Sequence, residues 1–401
     1  MQYNTERFGY NSRLQEFMVG ELVFDLRSLY VYLSRLKDRR KARGVRYPLV
    51  DALTLMTLAK LGGEDGPRGM AEWLQERAEE LVDLLKLSRA SMPHPVTISR
   101  ILGQAVDAEE FEQVLAAYFD QAAQASQTVL VAIDGKVLRG TIDSTNPQGL
   151  HLLAAYLPEE GLVLMQVQVE TKTNEITTAP QVVAGLDLRN KVLIGDALHT
   201  QRALSIQIVT AGGDYLWTVK ANQPDTLATI AHLFEPEPVS PGFAPTPTDF
   251  KQVTTVNKGH GRIECRTLTS SSMLKDYLTW PYVEQVFKLD RRFLNLKTGQ
   301  VMQETCYGLT SLTAAEADPA RLLALLRGYW GIENGLHYRR DVTFKEDRCR
   351  LKIGHAARTM ATLNNLVLGL IRRQGYTNAP QARRHYNAHP LEAVKLIFQK
   401  P

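Results

Sequence analysis

Three carboxylates stand in settings that suit metal-assisted phosphodiester chemistry. Asp134 closes the apolar run VLVAIDGK (129–136), and Asp196 closes KVLIGDALH (191–199). Glu333 sits in the helical-looking stretch RLLALLRGYWGIENGLHY (321–338). Two acids at strand ends and one on a later helix can hold a divalent ion. Mg²⁺ takes oxygen ligands, and its sites combine a few carboxylates with water and substrate phosphate. A pair of ions roughly 3.5–4 Å apart would stabilise both the attacking and the leaving oxygen of an in-line displacement. The chemistry expected of such a set is the cutting or transfer of nucleic-acid strands.

Each acid also has a plainer reading. Asp134-Gly135 after an apolar run is a hairpin-turn signal. Asp196 could cap a helix over 201–213, although it lies several residues early for that. Glu333 could sit on a solvated helix face, and Asp341, Glu346 and Asp347 are rivals nearby. The case rests on the three together and on their surroundings. Lys136 and Arg139 follow Asp134, and His199 and Gln201 follow Asp196. Lys220, Asn222 and Gln223 follow the run DYLWTVK, His260 and Arg262 open a later strand, and Arg339 and Arg340 follow Glu333. Such groups would position DNA through its phosphates without reading its sequence. Tyr329 and Trp330 could stack on an extruded base, but packing in the core is the expectation for both.

The elements that must position these residues fall into three blocks. Residues 15–126 read as helical: LQEFMVGELVFDLRSLYVYLSRL has mixed three- and four-residue apolar spacings. Pro48 and the Gly62-Gly63 pair bound a buried helix, and GPRGMAEWLQERAEELVDLLKL (66–87) reads as one amphipathic helix. Thr97 and Asp107 are candidate caps. A short Arg-bearing helix here would suit a helix-turn-helix-like DNA module, and a helical packing domain without base contacts is an equal reading. From 127 the texture changes to short strand-like runs, VLVAI, HLLAAYL, GLVLMQVQVE, KVLIGD and DYLWTVK. A helix over 201–213 precedes the last of these, so the sheet should be mixed and covered by helices. The Pro-rich FEPEPVSPGFAPTPTD (234–249) reads as a linker or surface loop. Three more strand-like runs follow, then helices from 317 onward.

Charge follows the same division. The chain of 401 residues has net charge +4. Residues 1–50 carry +5 and residues 321–401 carry +10, which leaves −11 to the middle. Basic flanks around an acidic middle fit a chain that grips DNA with its ends and holds metal between them. Cys265, Cys306 and Cys349 show no CxxC spacing and read as reduced thiols. No apolar run approaches the roughly 20 residues that cross a bilayer. The first residues, with Glu6 and Arg7, lack an apolar leader. A cytoplasmic protein, nucleoid-associated when on DNA, is expected.

Six ordered segments carry a resemblance: AIDGKVLRG (132–140), ETKTNEI (170–176), GDALHTQ (195–201), DYLWTVKANQ (214–223), HGRIECR (260–266) and WGIENGLHYRRDVTFKED (330–347). The chain resembles bacterial insertion-sequence transposases of the DDE type, in the branch of the H-repeat-associated proteins. That resemblance implies an α/β, RNase H-like catalytic core over 127–350 with a mixed sheet and a β-rich insertion at about 235–312. It implies an all-helical N-terminal domain over 1–126 that binds DNA ends, and a basic helical segment over 351–401. Asp134, Asp196 and Glu333 would be the metal-binding triad, holding two Mg²⁺ ions or Mn²⁺ in their place. In related transposases a Tyr, an Arg and a Lys accompany the Glu. Arg340 occupies the Lys position here, while Leu326 and Tyr329 replace the other two. The implied activity cuts the element's ends and joins the 3′-OH to target DNA, with terminal inverted repeats and target duplex as partners and a homodimer on DNA. Two other readings stay open: a silent or domesticated DNA-binding descendant, and a metal-dependent nuclease without strand transfer.

Overall fold

A computed structural model describes residues 9–11, 16–19, 22–25, 27–43, 45–120, 128–170, 175–235, 247–259 and 261–399. The chain forms two compact units. The first contains residues 1–125, 135–172 and 333–401, and the second contains 126–134 and 173–332.

The second unit is built on a sheet. Strand β4 (Val129–Leu138) contributes its first half, and β7 (Lys191–Gly195), β8 (Asp214–Val219), β12 (Val301–Thr310), β11 (Gln285–Asn295), β10 (Arg262–Ser271) and β9 (Lys251–Gly259) follow in that spatial order. β4, β7 and β8 are parallel. Parallel neighbours need crossovers, which the helices Glu175–Ala184 and Arg202–Thr210 supply. β12 pairs antiparallel to β8 and continues the sheet into β11, β10 and β9. The sheet is therefore mixed, as the sequence pattern predicts. Four strands stand where three were expected. β9 (KQVTTVNKG) is an edge strand with mostly exposed residues, and it lacks the apolar run that would announce it. Residues 236–246 of the Pro-rich stretch lie outside the described residues, as do 171–174 of ETKTNEI.

In the first unit, β5 (Leu150–Leu157) and β6 (Leu162–Val169) form an antiparallel pair beside the rest of β4. The antiparallel β5–β6 pair and the parallel β4, β7 and β8 are the α/β, RNase H-like arrangement that the sequence implies. Helix Ala356–Arg373 packs on β6 and is buried over most of its length. Pro48 stands at the N-cap position of a buried helix, Leu49–Leu61, that ends at Gly62, as expected. Asp107 accepts from the Glu110 amide at 2.9 Å and so caps its helix.

Three expectations for the N-terminal region need correction. Residues 9–25 contain β1 (Gly9–Asn11), β2 (Glu16–Val19) and β3 (Leu22–Asp25), an antiparallel meander, and the helices begin only at Leu29. In the sequence, short apolar runs such as EFMV and LVFD on either side of a glycine are also a hairpin signal. The stretch 66–87 is two helices, Pro67–Glu76 and Ala78–Leu85, broken at Arg77. His94, not Thr97, caps the short helix Pro95–Arg100, its ring nitrogen accepting from Val96 N.

Candidate active site

In the second unit, the register sets two acids on neighbouring strands. Ile133 of β4 lies opposite Gly195 of β7 in the parallel ladder. Asp134 and Asp196 each follow these residues, where the parallel pairing stops: Asp134 lies within β4, which runs on to Leu138, and Asp196 lies just past the end of β7. Ligand sites in α/β sheets form beyond the carboxyl ends of paired parallel strands, where neighbouring chains diverge. Asp196 is exposed and caps a single turn, Ala197–His199, by accepting from Leu198 N at 2.9 Å. That explains why it stood too early to cap the following helix. The loop behind it is braced by neutral groups. Asn222 Nδ2 donates to Ala197 O at 2.6 Å, Gln223 Nε2 to Thr200 O at 3.0 Å, and Thr200 Oγ1 to Thr218 O at 2.8 Å.

His199 lies beneath this loop with no exposed surface. A Cβ on Gly195 would stand 2.9 Å from its ring, so glycine is required for the fit. Its nearest ionic neighbour is Glu175, with Nε2 3.6 Å from Oε2. Burial lowers its affinity for a proton more than Asp196, Glu175 and Asp134 raise it. A buried, neutral ring cannot meet a phosphate, so the DNA-contact expectation for His199 is corrected. Lys220 and Arg262 are exposed, and His260 lies outside the described residues. Trp330 is 55% exposed and does not pack in a core, contrary to expectation.

In the first unit, Glu333 stands on a π-helical stretch, Ile332–His337, and a second one follows at Arg339–Thr343. Such i→i+5 winding is uncommon and gathers at functional sites. Glu333 and His337 offer a carboxylate oxygen and a ring nitrogen within 4.8 Å of each other, close enough to share an ion. Nothing in the sequence pattern singled out His337, yet its spacing of four from Glu333 on a helix was the available signal. Gly335 is needed where this segment meets β5, since a Cβ there would lie 2.5 Å from Tyr156 Oη. Burial pushes the Tyr156 hydroxyl up to about 12, so it stays protonated.

The cations around Glu333 divide. Arg139 is exposed, with its backbone amide bound to Asp347 at 3.2 Å. Arg339 is half-buried beside the Tyr338 ring. Arg340 is fully buried: Nε donates to Glu346 at 2.6 Å and one Nη to Gln166 at 3.1 Å. Its assignment as a DNA contact is therefore corrected, because its charge is spent inside the protein. Lys136 has a side chain only 9% exposed and is bonded to Asp341. Of the rival acids, Asp341 and Glu346 are thus already paired with cations.

A family model described as Transposase DDE domain matches residues 125–370, and one described as DDE_Tnp_1-associated matches residues 30–119. "Putative transposase YncI" of Escherichia coli O157:H7 is 28% identical over 352 residues, covering 86% of this chain and 88% of its own. "H repeat-associated putative transposase YhhI" of Escherichia coli K12 is 24% identical over 354 residues, 86% of this chain and 91% of the relative. A cryo-EM structure of a piggyBac transposase synaptic complex with hairpin DNA aligns over 92% of this chain and 78% of its own, at 10% identity and a TM-score of 0.39.

Proposed function

The chain belongs to the transposase DDE domain family, and from that premise we propose that it cuts the ends of an insertion sequence and joins the freed 3′-OH to target DNA. Asp134, Asp196 and Glu333 would be the metal-holding acids. The observation that most supports this reading is the register of β4 on β7, with Ile133 opposite Gly195 and an acid following each. The donor chemistry fits a divalent ion. Three carboxylates are hard oxygen ligands of the kind Mg²⁺ takes, and an imidazole such as His337 suits Mn²⁺ as well.

When bound, two such ions would supply a polarised phosphate and a nucleophile at neutral pH. The residues of the chain do the rest. The carboxylates would hold the ions in fixed places, and positioning of this kind carries a large share of phosphoryl-transfer catalysis. Exposed Arg139, Lys220 and Arg262, with Arg339, Asn222 and Gln223, would bear on the DNA backbone. The amides of Asn222 and Gln223 also brace the Asp196 loop, so they would hold that acid as well. Trp330, exposed three residues before Glu333, would offer a face for an unpaired base. The N-terminal helices would hold the element's terminal repeats, and concerted action on two ends favours a dimer on DNA.

A labelled-DNA assay tests this. The substrate carries the DNA flanking this gene, with Mg²⁺ or Mn²⁺, and wild type is compared with Asp134→Asn. Metal-dependent nicking at a defined end plus joined products, both lost in the variant, is the expected result. Nicking without joining would replace the transposase by a nuclease. Binding without cleavage would leave a DNA-binding descendant.

A further inference from the structure

Two cations that the sequence offers to DNA are turned inward in the first unit. Lys136 Nζ donates to both carboxylate oxygens of Asp341, at 2.6 and 2.7 Å. The residue before Asp341, Arg340, is bound by Glu346 and Gln166. The network continues from there. Gln166 Nε2 donates to Glu112 at 3.0 Å, and Gln166 Oε1 also accepts from Asn365 at 3.0 Å. Asn364 donates to the second oxygen of Glu346 at 3.1 Å. Arg358 donates to both oxygens of Glu112. Charges persist in a protein interior when they are paired and bonded in this way.

The sequence positions of this pair matter. Lys136 follows Asp134 by two residues on β4, on the same side of the pleat. Asp341 follows Glu333 by eight residues in the same helical run, whose second π-helical stretch it occupies. A backbone wound i→i+5 has poorer intrinsic support than an α-helix and needs outside contacts to hold one winding. Arg340 supplies such a contact on one side and Asp341 on the other.

We propose that Lys136 and Asp341 are a positioning pair, which fixes the strand following Asp134 to the helical run following Glu333. Lys136 then acts through the acids and does not touch DNA. The inference rests on the metal-dependent reading above. It places Lys136 and Arg340 among the supports of the metal-holding residues, a shell whose loss typically costs roughly 10–100-fold in metal affinity or activity.

The test uses the full chain and two separate readouts: DNA affinity without metal, and nicking as a function of Mn²⁺ concentration. Lys136→Met and Asp341→Asn should each raise the Mn²⁺ concentration for half-maximal nicking about tenfold or more. Metal-free DNA affinity and its salt dependence should stay at the wild-type level. The swap Lys136→Asp with Asp341→Lys should recover part of the lost metal affinity, which a merely structural loss would not do. A fall in metal-free affinity in Lys136→Met, with a salt slope lower by about one, would make Lys136 a DNA contact and overturn the proposal. So would a wild-type Mn²⁺ midpoint in Asp341→Asn, which settles the matter even where Lys136→Met does not fold. Absence of any metal-dependent nicking in the wild type would instead remove the functional reading, and this inference with it.

Discussion

The acids on strands and the acid on the helix are supported by different physics. Asp134 and Asp196 directly follow the last paired residues of a parallel ladder that already holds their backbone. The loop after Asp196 needs only neutral braces, from Asn222, Gln223 and Thr200. Glu333 stands on π-helical winding, and the contacts around it are ionic and mostly buried: Lys136 with Asp341, and Arg340 with Glu346 and Gln166. A regular ladder needs little help to present a carboxylate. An irregular helix needs charge pairs, and those are strong only while both partners remain. Substitutions in the two regions should therefore fail in different ways.

The largest effect is expected at the acids themselves. Asp134→Asn, Asp196→Asn and Glu333→Gln should each reduce metal-dependent nicking by roughly 10³-fold or more, as loss of a residue acting within a catalytic set does. Asp196→Asn should leave stability within about 0.5 kcal/mol, since the side chain is exposed and Asn caps a turn as well as Asp. Thermal melting beside the nicking assay checks this. A large fall in Tm in that variant would show that Asp196 holds the fold and would erase the contrast.

Arg340 should show the opposite signature. Arg340→Leu leaves Glu346, itself buried, without its guanidinium, and the expected cost is about 3–5 kcal/mol. Removing both charges, as Arg340→Leu with Glu346→Leu, should cost less than the single change, because no buried charge is then left alone. Denaturant unfolding of the two variants measures the difference. A single variant as stable as the double would show that Glu346 left without its guanidinium costs nothing.

A third, smaller effect comes from another cation of the same unit. Lys60 is fully buried, its Nζ has no hydrogen-bond partner among the described residues, and the Phe344 ring lies 5.2 Å away. Burial lowers its proton affinity to about 8, against an ordinary 10.5, with Asp65, Cys349 and Glu346 opposing and Arg383 assisting. The native state thus resists the charged form, at a cost on the order of 3 kcal/mol below pH 8. Between pH 8 and 10.5 the unfolded chain holds more protons than the native one, so this group makes stability rise with pH. Lys60→Met should therefore melt at a higher temperature than wild type at pH 7, and its advantage should shrink as pH rises past 8. Burial also raises the Cys349 thiol, but that group is common to both proteins and cancels in the comparison. An advantage independent of pH would show that burial does not shift the proton affinity of Lys60 and that packing alone explains the gain.

The same contrast explains what could be read from the sequence. Asp134 and Asp196 were legible because an acid that ends an apolar run is visible in one dimension. The mixed sheet was legible for the same reason, through its buried strands. His199 and Arg340 are buried and Lys136 is bonded to Asp341, where the sequence suggests DNA contacts, because a basic residue near an acid looks alike in sequence whether it faces DNA or the protein. Their partners, Asp341 for Lys136 and Gln166 for Arg340, are 205 and 174 residues away. The β1–β3 meander and edge strand β9 were missed because short or exposed strands lack a long apolar signature. His337 was missed because a single helical histidine is usually core.

Lys220 and Arg262 offer the finest test, since they are exposed cations of the second unit and have the smallest expected effect. Neither belongs to a framework like that of Arg340. Lys220 is exposed just after β8, and Arg262 stands 3.9 Å from the carboxylate of Glu264, which Arg266 and Arg291 also engage. Loss of the Arg262 charge therefore leaves Glu264 paired, and stability should change by no more than about 0.5 kcal/mol. Each phosphate contact that releases a counterion contributes about one to the slope of log affinity against log salt. Lys220→Gln and Arg262→Gln should each lower that slope by about one, and weaken binding to every DNA sequence alike. The measurement is a salt titration of DNA affinity without metal. Unchanged slopes in both variants would mean that exposure alone does not mark the DNA-facing cations. The division between inward and outward charges would then have to be drawn from the first unit, at Arg139 and Arg339.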